Sequence, residues 1–472
     1  MTFGLRWLDW RPAAGALGVV GMALLVQGCA HSVQAAPLAP DLALPAAWNA
    51  PLPSGVAAMP QADDLARWWE RFGDAQLSAL VAQALQAHPG ALSAQAALRQ
   101  ARAQARVQAA GLLPDVSLSG SAQRSRSSGA MGNSFQAGLD AGWEPDLFGR
   151  LDAGVQASEA DARAAQASLE QVHVSLSAEV ALQYIALRGL QQRLGIAQRN
   201  LETQQQTLQI TDWRVQAGLA TSLVAEQARA AAEQTAAQVP QLQASLAQAR
   251  HALAVLTGQA PAALDAALAA PQAVPQPSQA LVLDIPADTL RQRPDVRVAQ
   301  ERVQAALARV SQADAARYPS LRLSGSLGLR ALTLGALGDS ASLVHSLLGS
   351  VAVPLFDGGA TQAQVQVQQA ALEQARQAYQ LAVLTALKEV EDALVALQGE
   401  AARLAHLQQA AQAAGNAALL AQQRYASGLI DFASVLETQR TQLATQDALA
   451  TSQANLGSNH VRLFKALGGG WQ

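Results

Sequence analysis

Cysteine occurs once, at Cys29, so no intrachain disulfide can brace this 472-residue chain. Lysine is confined to Lys388 and Lys465, and aromatic residues make up only 4%. Charged residues make up 14%, below the roughly 25% usual for soluble domains. The formal net charge of -3 offers no basic surplus, so nucleic acid is not an expected partner. The seven histidines are scattered and form no His-x-x-His or HExxH pair. His88 beside Pro89 reads as a helix-entry residue, and His173 and His251 fall within helical runs. There is no Walker A loop, GxSxG or CxxC, so neither an enzyme nor a resident cofactor or metal is expected. Without a nucleotide site, the chain cannot itself drive transport. Beyond the N-terminal segment only Met59 and Met131 remain, too few for a soft-metal path.

Half of the residues are hydrophobic, enough for a large core, and Ala and Gln recur at helical spacing. Arg6 and Arg11 accompany an apolar run, "PAAGALGVVGMALLVQGC", that is short for a membrane span and ends at Cys29. Val26-Gln27-Gly28-Cys29 resembles a bacterial lipobox, with Gln27 in place of the usual small residue. Residues 1–28 are therefore read as a lipoprotein signal peptide and Cys29 as the acylated residue. The alternative is cleavage further on, at Ala36. Ala30 and His31 follow, without an Asp, which resembles an outer-membrane address.

The chain repeats itself. "RVQAGLATSLVAEQAR" from Arg214 matches "RYASGLIDFASVLETQR" from Arg424. Upstream, Pro89 matches Pro294, Pro114 matches Pro319, and Ser119-Gly120 matches Ser324-Gly325. "DLFGR" at Asp146 matches "PLFDGG" at Pro354. The divisions are 61–258 for the first repeat and 288–469 for the second. A Pro-rich linker, 259–287, lies between them, and a Pro-rich extended segment, 29–60, precedes them.

Each repeat holds two kinds of segment. Strand-like segments are expected at about 113–126 and 134–145, and at about 319–331 and 343–354. Val116, Leu118, Gly120 and Ala122 interleave with Ser117, Ser119, Ser121 and Gln123. "SSGAMGN" and "LTLGALGDSA" read as the hairpin loops. Strands of about ten residues with one apolar and one polar face fit a membrane β-barrel. Alternation alone fits a soluble sheet with one wet face equally well. The helical runs are Gly149–Gly218 and Gly358–Gly428, each roughly 70 residues or about 100 Å. They are flanked by shorter runs, His88–Leu113 and Leu219–Thr257, then Arg293–Tyr318 and Leu429–Leu467. Gly218 and Gly428 sit where a long helix must reverse.

Four strands cannot close a barrel, since known barrels start at about eight, and an open edge cannot sit in lipid. Chains must therefore combine: two copies supply eight strands and three supply twelve. "WWERFGDAQLSALVAQAL" from Trp68, "WEPDLFGR" from Trp143 and "RYASGLIDFASVLETQR", in this order, resemble the outer membrane factor family. The resemblance is to TolC-like channels, in the OprM/NodT-like lipoprotein branch. It implies a mixed α+β membrane channel. Each chain would give four transmembrane β-strands and long coiled α-helices. A homotrimer would close a 12-stranded β-barrel continued by an α-helical barrel in the periplasm. It also implies a lipid-anchored place in the bacterial outer membrane, a periplasmic adaptor and an inner-membrane RND-type pump as partners, and passive export of small molecules. The alternative duty is an exit duct for type I protein secretion. A periplasmic coiled-coil scaffold without a barrel is the reading of a different class.

The resemblance also assigns residues. Trp143, Asp146, Leu147, Phe148, Gly149, Phe356 and Gly358 fall at the barrel-to-helix junction. Gly218, Leu219, Gly428 and Leu429 fall at the tips that meet the adaptor. Glu437 and Arg440 fall at a periplasmic gate. There Ala433 stands in place of a leucine ring and Ser434 in place of an aspartate. Glu226 and Arg229 are read instead as a local helix pair.

Overall fold

The computed structural model describes residues 45, 47–50, 65–127, 130–277 and 290–470. The expected signal peptide, Cys29 and most of the Pro-rich segment lie outside the described residues, as does linker stretch 278–289. Among the described residues no helix is long and apolar enough to cross a membrane.

A 3₁₀ turn, Trp68–Phe72, comes first among the described elements and stops at Gly73 with φ 62°. Helix α1 follows, Ala75–Ala87, capped by the Asp74 carboxylate, which accepts from the backbone N–H of Gln76 and Leu77. Its buried stripe is Leu77, Leu80, Val81 and Ala84, at helical spacing. His88 precedes a proline and turns to the extended region, which ends α1. Pro89 then occupies the first position of α2, Pro89–Ala110, where its missing N–H leaves no bond unmade. Pro114 closes this passage and strand β1 begins at Asp115, running to Ser127. Strand β2 is Ala130–Trp143.

A single helix, α3, runs Arg150–Gln216 for 67 residues, about 100 Å. The return path is broken in two, α4 Ser222–Ala236 and α5 Gln238–Leu256. This corrects the expected continuous run Leu219–Thr257. Pro240 has no N–H to give the carbonyl of Ala236, and its ring crowds that carbonyl, so the helix is interrupted there.

The second repeat follows the same plan. It contains α6, Pro294–Ala315, with a proline again first, then β3, Ser320–Ala331, and β4, Leu343–Ala352. Next come α7, Ala360–Ala426, also 67 residues, and α8, Phe432–Ala466. With no proline inside it, α8 is continuous.

The chain divides into two compact units. The smaller contains the sheet and the adjoining helix ends, residues 107–156 and 307–370. Its strands are antiparallel in the order β1-β2-β3-β4, so β1 and β4 are edges. Register puts Val116 opposite Ala141, Ala141 opposite Gly325, and Gly325 opposite Leu347. The next polar row is Ser117, Asp140, Ser326 and Ser346. One face is therefore apolar and one polar, although Val344 and Leu348 interrupt the polar face and His345 the apolar one. The first expected hairpin loop is corrected. Ala130 to Asn133 belong to β2 and pair with Arg124 to Ser127, so Gly132 and Asn133 are strand residues despite their turn chemistry. Strands β2 and β4 stop two residues short of expectation, before Pro145 and Pro354.

The larger unit has one main core. It gathers Leu77 and Val81 of α1, Val180 and Leu187 of α3, Leu253 of α5, Leu394 of α7, and Val461 and Phe464 of α8. Trp68 stacks on Phe464 at 5.2 Å between ring centroids. The linker is packed rather than free over its described part. Buried Arg188 donates to the Ala270 carbonyl at 2.8 Å, and Gln191 donates to the Leu268 carbonyl at 2.9 Å. The Tyr184 hydroxyl lies in the same cluster, 2.8 Å from Asp74, and burial pushes its pKa up to about 12.

Candidate functional sites at the helix tips and the strand-helix junction

Both long helices end in the same bonded turn. At the end of α3, Gly218 has φ 69° and donates to Val215, while Leu219 donates back to Arg214. At the end of α7, Gly428 has φ 72° and donates to Tyr425, while Leu429 donates back to Arg424. This is a Schellman ending, which satisfies carbonyls the helix cannot. The residue after the glycine, which often packs back on the helix, is not buried at either tip. Leu219 and Leu429 are instead 72% and 73% exposed.

The two tips are tied to each other. Arg214 Nη1 donates to the Tyr425 carbonyl at 3.2 Å, and its guanidinium lies 4.6 Å from the Tyr425 ring centroid. Tyr425 packs edge-on against Phe432, and a small core of Ala228, Ala231, Val435 and Leu436 completes the contact. Arg424, the counterpart of Arg214, is exposed. The Asp431 carboxylate caps α8, accepting from Ser434 N at 3.0 Å and Ser434 Oγ at 2.6 Å. These bonds to Ser434 lower the Asp431 pKa below its ordinary value. Ser434 is thus committed to a cap, and Ala433 is exposed beside it.

The matched acid–arginine pairs differ. Glu226 and Arg229 form an exposed local ion pair at 2.9 Å, as the i,i+3 spacing predicts. Among the described residues Glu437 and Arg440 have no side-chain hydrogen bond or ion pair, and both are exposed on α8. Arg440 borders a cavity of about 530 Å³ that Gln204, Gln234 and Asp447 also line. Further along, α3 and α8 are joined by a row of polar bonds. Gln439 meets Thr207 at 3.2 Å, and Asn200 meets Gln446 at 3.0 Å. Arg193 grips Asp447 with two bonds, at 2.6 and 3.1 Å. Reading the sequence missed Arg214, Asp431 and this row. Asp431 was readable as a helix N-cap, Asp-x-x-Ser, whereas the others depend on partners far along the chain.

At the junction, Trp143 Nε1 donates to the Leu112 carbonyl at 3.0 Å. Glu144 pairs with Arg150 at 2.6 Å. Asp146 accepts from the backbone N–H of Asp152 at 2.7 Å, and Gly149, φ 75°, starts the helix. Phe148 stacks on Tyr318 at 5.2 Å, and a cavity of about 440 Å³ lies among these groups. In the second repeat Asp357 caps α7 instead, bonding Gly359 N, Thr361 N and the Thr361 hydroxyl, which lowers its pKa. Gly358, φ 65°, bends the chain there. Phe356 is exposed and, among the described residues, stacks on no other ring, unlike Phe148. Leu147 is exposed as well. Among the described residues no group of three or more His, Cys, Asp or Glu could hold a metal ion.

The sequence profile of the family described as outer membrane efflux protein matches residues 80–259 and 285–469. The chain belongs to this family. Each matched stretch overlaps one of the two repeats. The chain is 33% identical over 475 residues to the pyoverdine export outer membrane protein OpmQ of Pseudomonas aeruginosa, covering 97% of each. It is 32% identical to the outer membrane protein OprJ of the same organism, covering 98% of this chain and 97% of that one. Its fold matches the outer-membrane channel OprN with a TM-score of 0.82 and 35% identity, over 90% of this chain and 99% of that one. The protein is therefore an outer-membrane efflux channel, and its mixed sheet-and-helix fold is that of the TolC-like channels.

Proposed function

We propose that three copies of this chain close one 12-stranded barrel, and that the resulting pore is the passive exit duct of a tripartite pump. The observation that carries this reading is the open sheet. Its edge strands, β1 and β4, are 13 and 10 residues long and leave their outward-pointing backbone N–H and C=O groups unpaired, and its apolar face is exposed at Val116, Leu118, Leu347 and Val351. In a lipid phase such edges must be paired, and four strands are too few to pair with themselves. The exposed apolar row then meets lipid and the serine-rich face lines the pore.

No nucleotide site exists in the sequence, so the energy comes from a partner. That partner is an inner-membrane RND-type pump, reached through a periplasmic adaptor that docks on the tips around Gly218-Leu219 and Gly428-Leu429. Glu437 and Arg440 meet neighbouring copies at the gate, a reading supported by their exposure and by their having no side-chain partner among the described residues. The cargo is a small molecule, and Cys29 carries the lipid anchor. The test is a deletion strain profiled for susceptibility to toxic small molecules. Increased sensitivity of the deletion strain, reversed by the wild-type gene, is the expected result; unchanged susceptibility, together with loss of an exported protein, would overturn it.

A further inference from the structure

Two arginines stand on the wrong face of the sheet for a pore lining. On β1 the apolar face carries the even positions Val116, Leu118, Gly120 and Ala122, and it continues to Arg124 and Arg126. Both arginines are exposed, and among the described residues neither has a side-chain hydrogen bond or ion pair. Their cross-strand partners are Asn133 and Met131, which are uncharged.

Their depth follows from the strand geometry. The same face of β2 bears Phe135 and Trp143, eight residues apart, hence about 27 Å along the strand and about 20 Å along the membrane normal at the usual tilt. That is close to the apolar band of a membrane barrel, with an aromatic ring at each margin. Trp143 lies at the helix junction. Arg124 lies beyond Phe135, at the hairpin end, where headgroups begin. The same end exposes Met131, Leu332, Leu334 and Leu343, as a rim dipping into lipid would. From Arg124 to Phe135 and from Leu329 to His345 the sequence has one carboxylate, Asp339. Closing the barrel sets a β4 edge beside β1, and on this face the upper end of β4 carries Leu343 and His345, so the neighbouring strand presents no acid to the pair; Asp339 lies in the loop before β4.

We propose that Arg124 and Arg126 form a binding site for the phosphate of a phosphorylated glycolipid of the outer leaflet, one site for each copy in the barrel. The inference rests on the barrel reading above. With the helices in the periplasm, the hairpin end of the sheet reaches the outer leaflet. A guanidinium bonds phosphate oxygens with two parallel N–H groups, and the i,i+2 spacing puts both side chains on one face about 7 Å apart.

Full-length protein in detergent, titrated with bisphosphorylated lipid A and read by native mass spectrometry, tests this. Affinity should fall about tenfold for each arginine removed in Arg124→Gln and Arg126→Gln. Paired Arg→Lys replacements should keep the larger part of it. Replacing the polar-face arginines, Arg322→Gln and Arg330→Gln, should leave it unchanged. Dephosphorylated lipid A and phosphatidylglycerol should both bind weakly. Equal binding by the double Gln variant, equal binding of dephosphorylated lipid A or of phosphatidylglycerol, or an equal loss in the polar-face variant would overturn the site while the barrel reading stands. Failure of the wild-type chain to assemble beyond a monomer in bilayers would overturn both.

Discussion

Glu437 and Arg440 show how one residue pair acquires a different meaning in each repeat. Glu226 and Arg229 satisfy each other on α4, for a local gain of about 0.2–0.5 kcal/mol. Glu437 and Arg440 have the same spacing on α8 and do not pair. Under the gate proposal, each position would form a ring of charge in the assembly, with carboxylates favouring cations and guanidiniums offsetting them. Replacing both with Ala should raise single-channel conductance in planar bilayers and weaken cation selectivity. Unchanged conductance and selectivity would mean that the two side chains do not face the pore. A second residue reports on the core. Burial lowers the pKa of His460 from 6.5, although its Nδ1 lies 2.9 Å from the Leu456 carbonyl. The unfolded chain therefore takes up that proton before the folded one does. Stability should fall as pH drops through about 6.5 and level off once the folded ring is also protonated. His460→Gln should flatten this part of the curve of thermal midpoint against pH; an unaltered slope would assign the dependence to other groups.

At the scale of elements, prolines and glycines decide where helices start, stop and turn. Gly218 and Gly428 take positive φ, and a Cβ at either would meet nothing within 4 Å. Replacement by Ala therefore tests backbone strain alone. Each should destabilise its tip by about 1 kcal/mol, read as faster amide exchange in residues flanking the turn. Exchange unchanged in both variants would show that the left-handed turn is not what holds the tip. Much of this level was legible in the sequence, because Pro89, Pro294, Gly218 and Gly428 act on their own backbone. Pro240 was equally legible in principle, and its break was lost within an otherwise helical composition. The start of β2 was hidden because Gly132 and Asn133 have turn chemistry, while cross-strand pairing with Ser125 and Arg124 holds them extended. Arg214 could not be found by any local pattern, since its partner Tyr425 lies in the other repeat.

At the scale of the whole molecule, exposure within one chain marks what the assembly must cover. Leu219 and Leu429 are uncovered at turns that require glycine but not leucine. Changing both to Glu should abolish efflux while leaving the amount of assembled protein unchanged. Efflux that persists in the double variant would place adaptor contact elsewhere. The open sheet makes the larger demand. Gly120 on β1 and Gly349 on β4 lie on the same face, and a Cβ at either is accommodated, with nearest atoms at 4.0 and 3.5 Å. Within one chain these edges are separated by the two strands between them, about 14 Å, beyond the reach of a disulfide. In a Cys29→Ser background no other thiol is present. Gly120→Cys, combined in turn with single cysteines along 345–351 and oxidised in native outer membranes, measures the closure directly. The account predicts covalent dimers and trimers, confined to one register and to residues on the Gly349 face. Monomers at every position would contradict it.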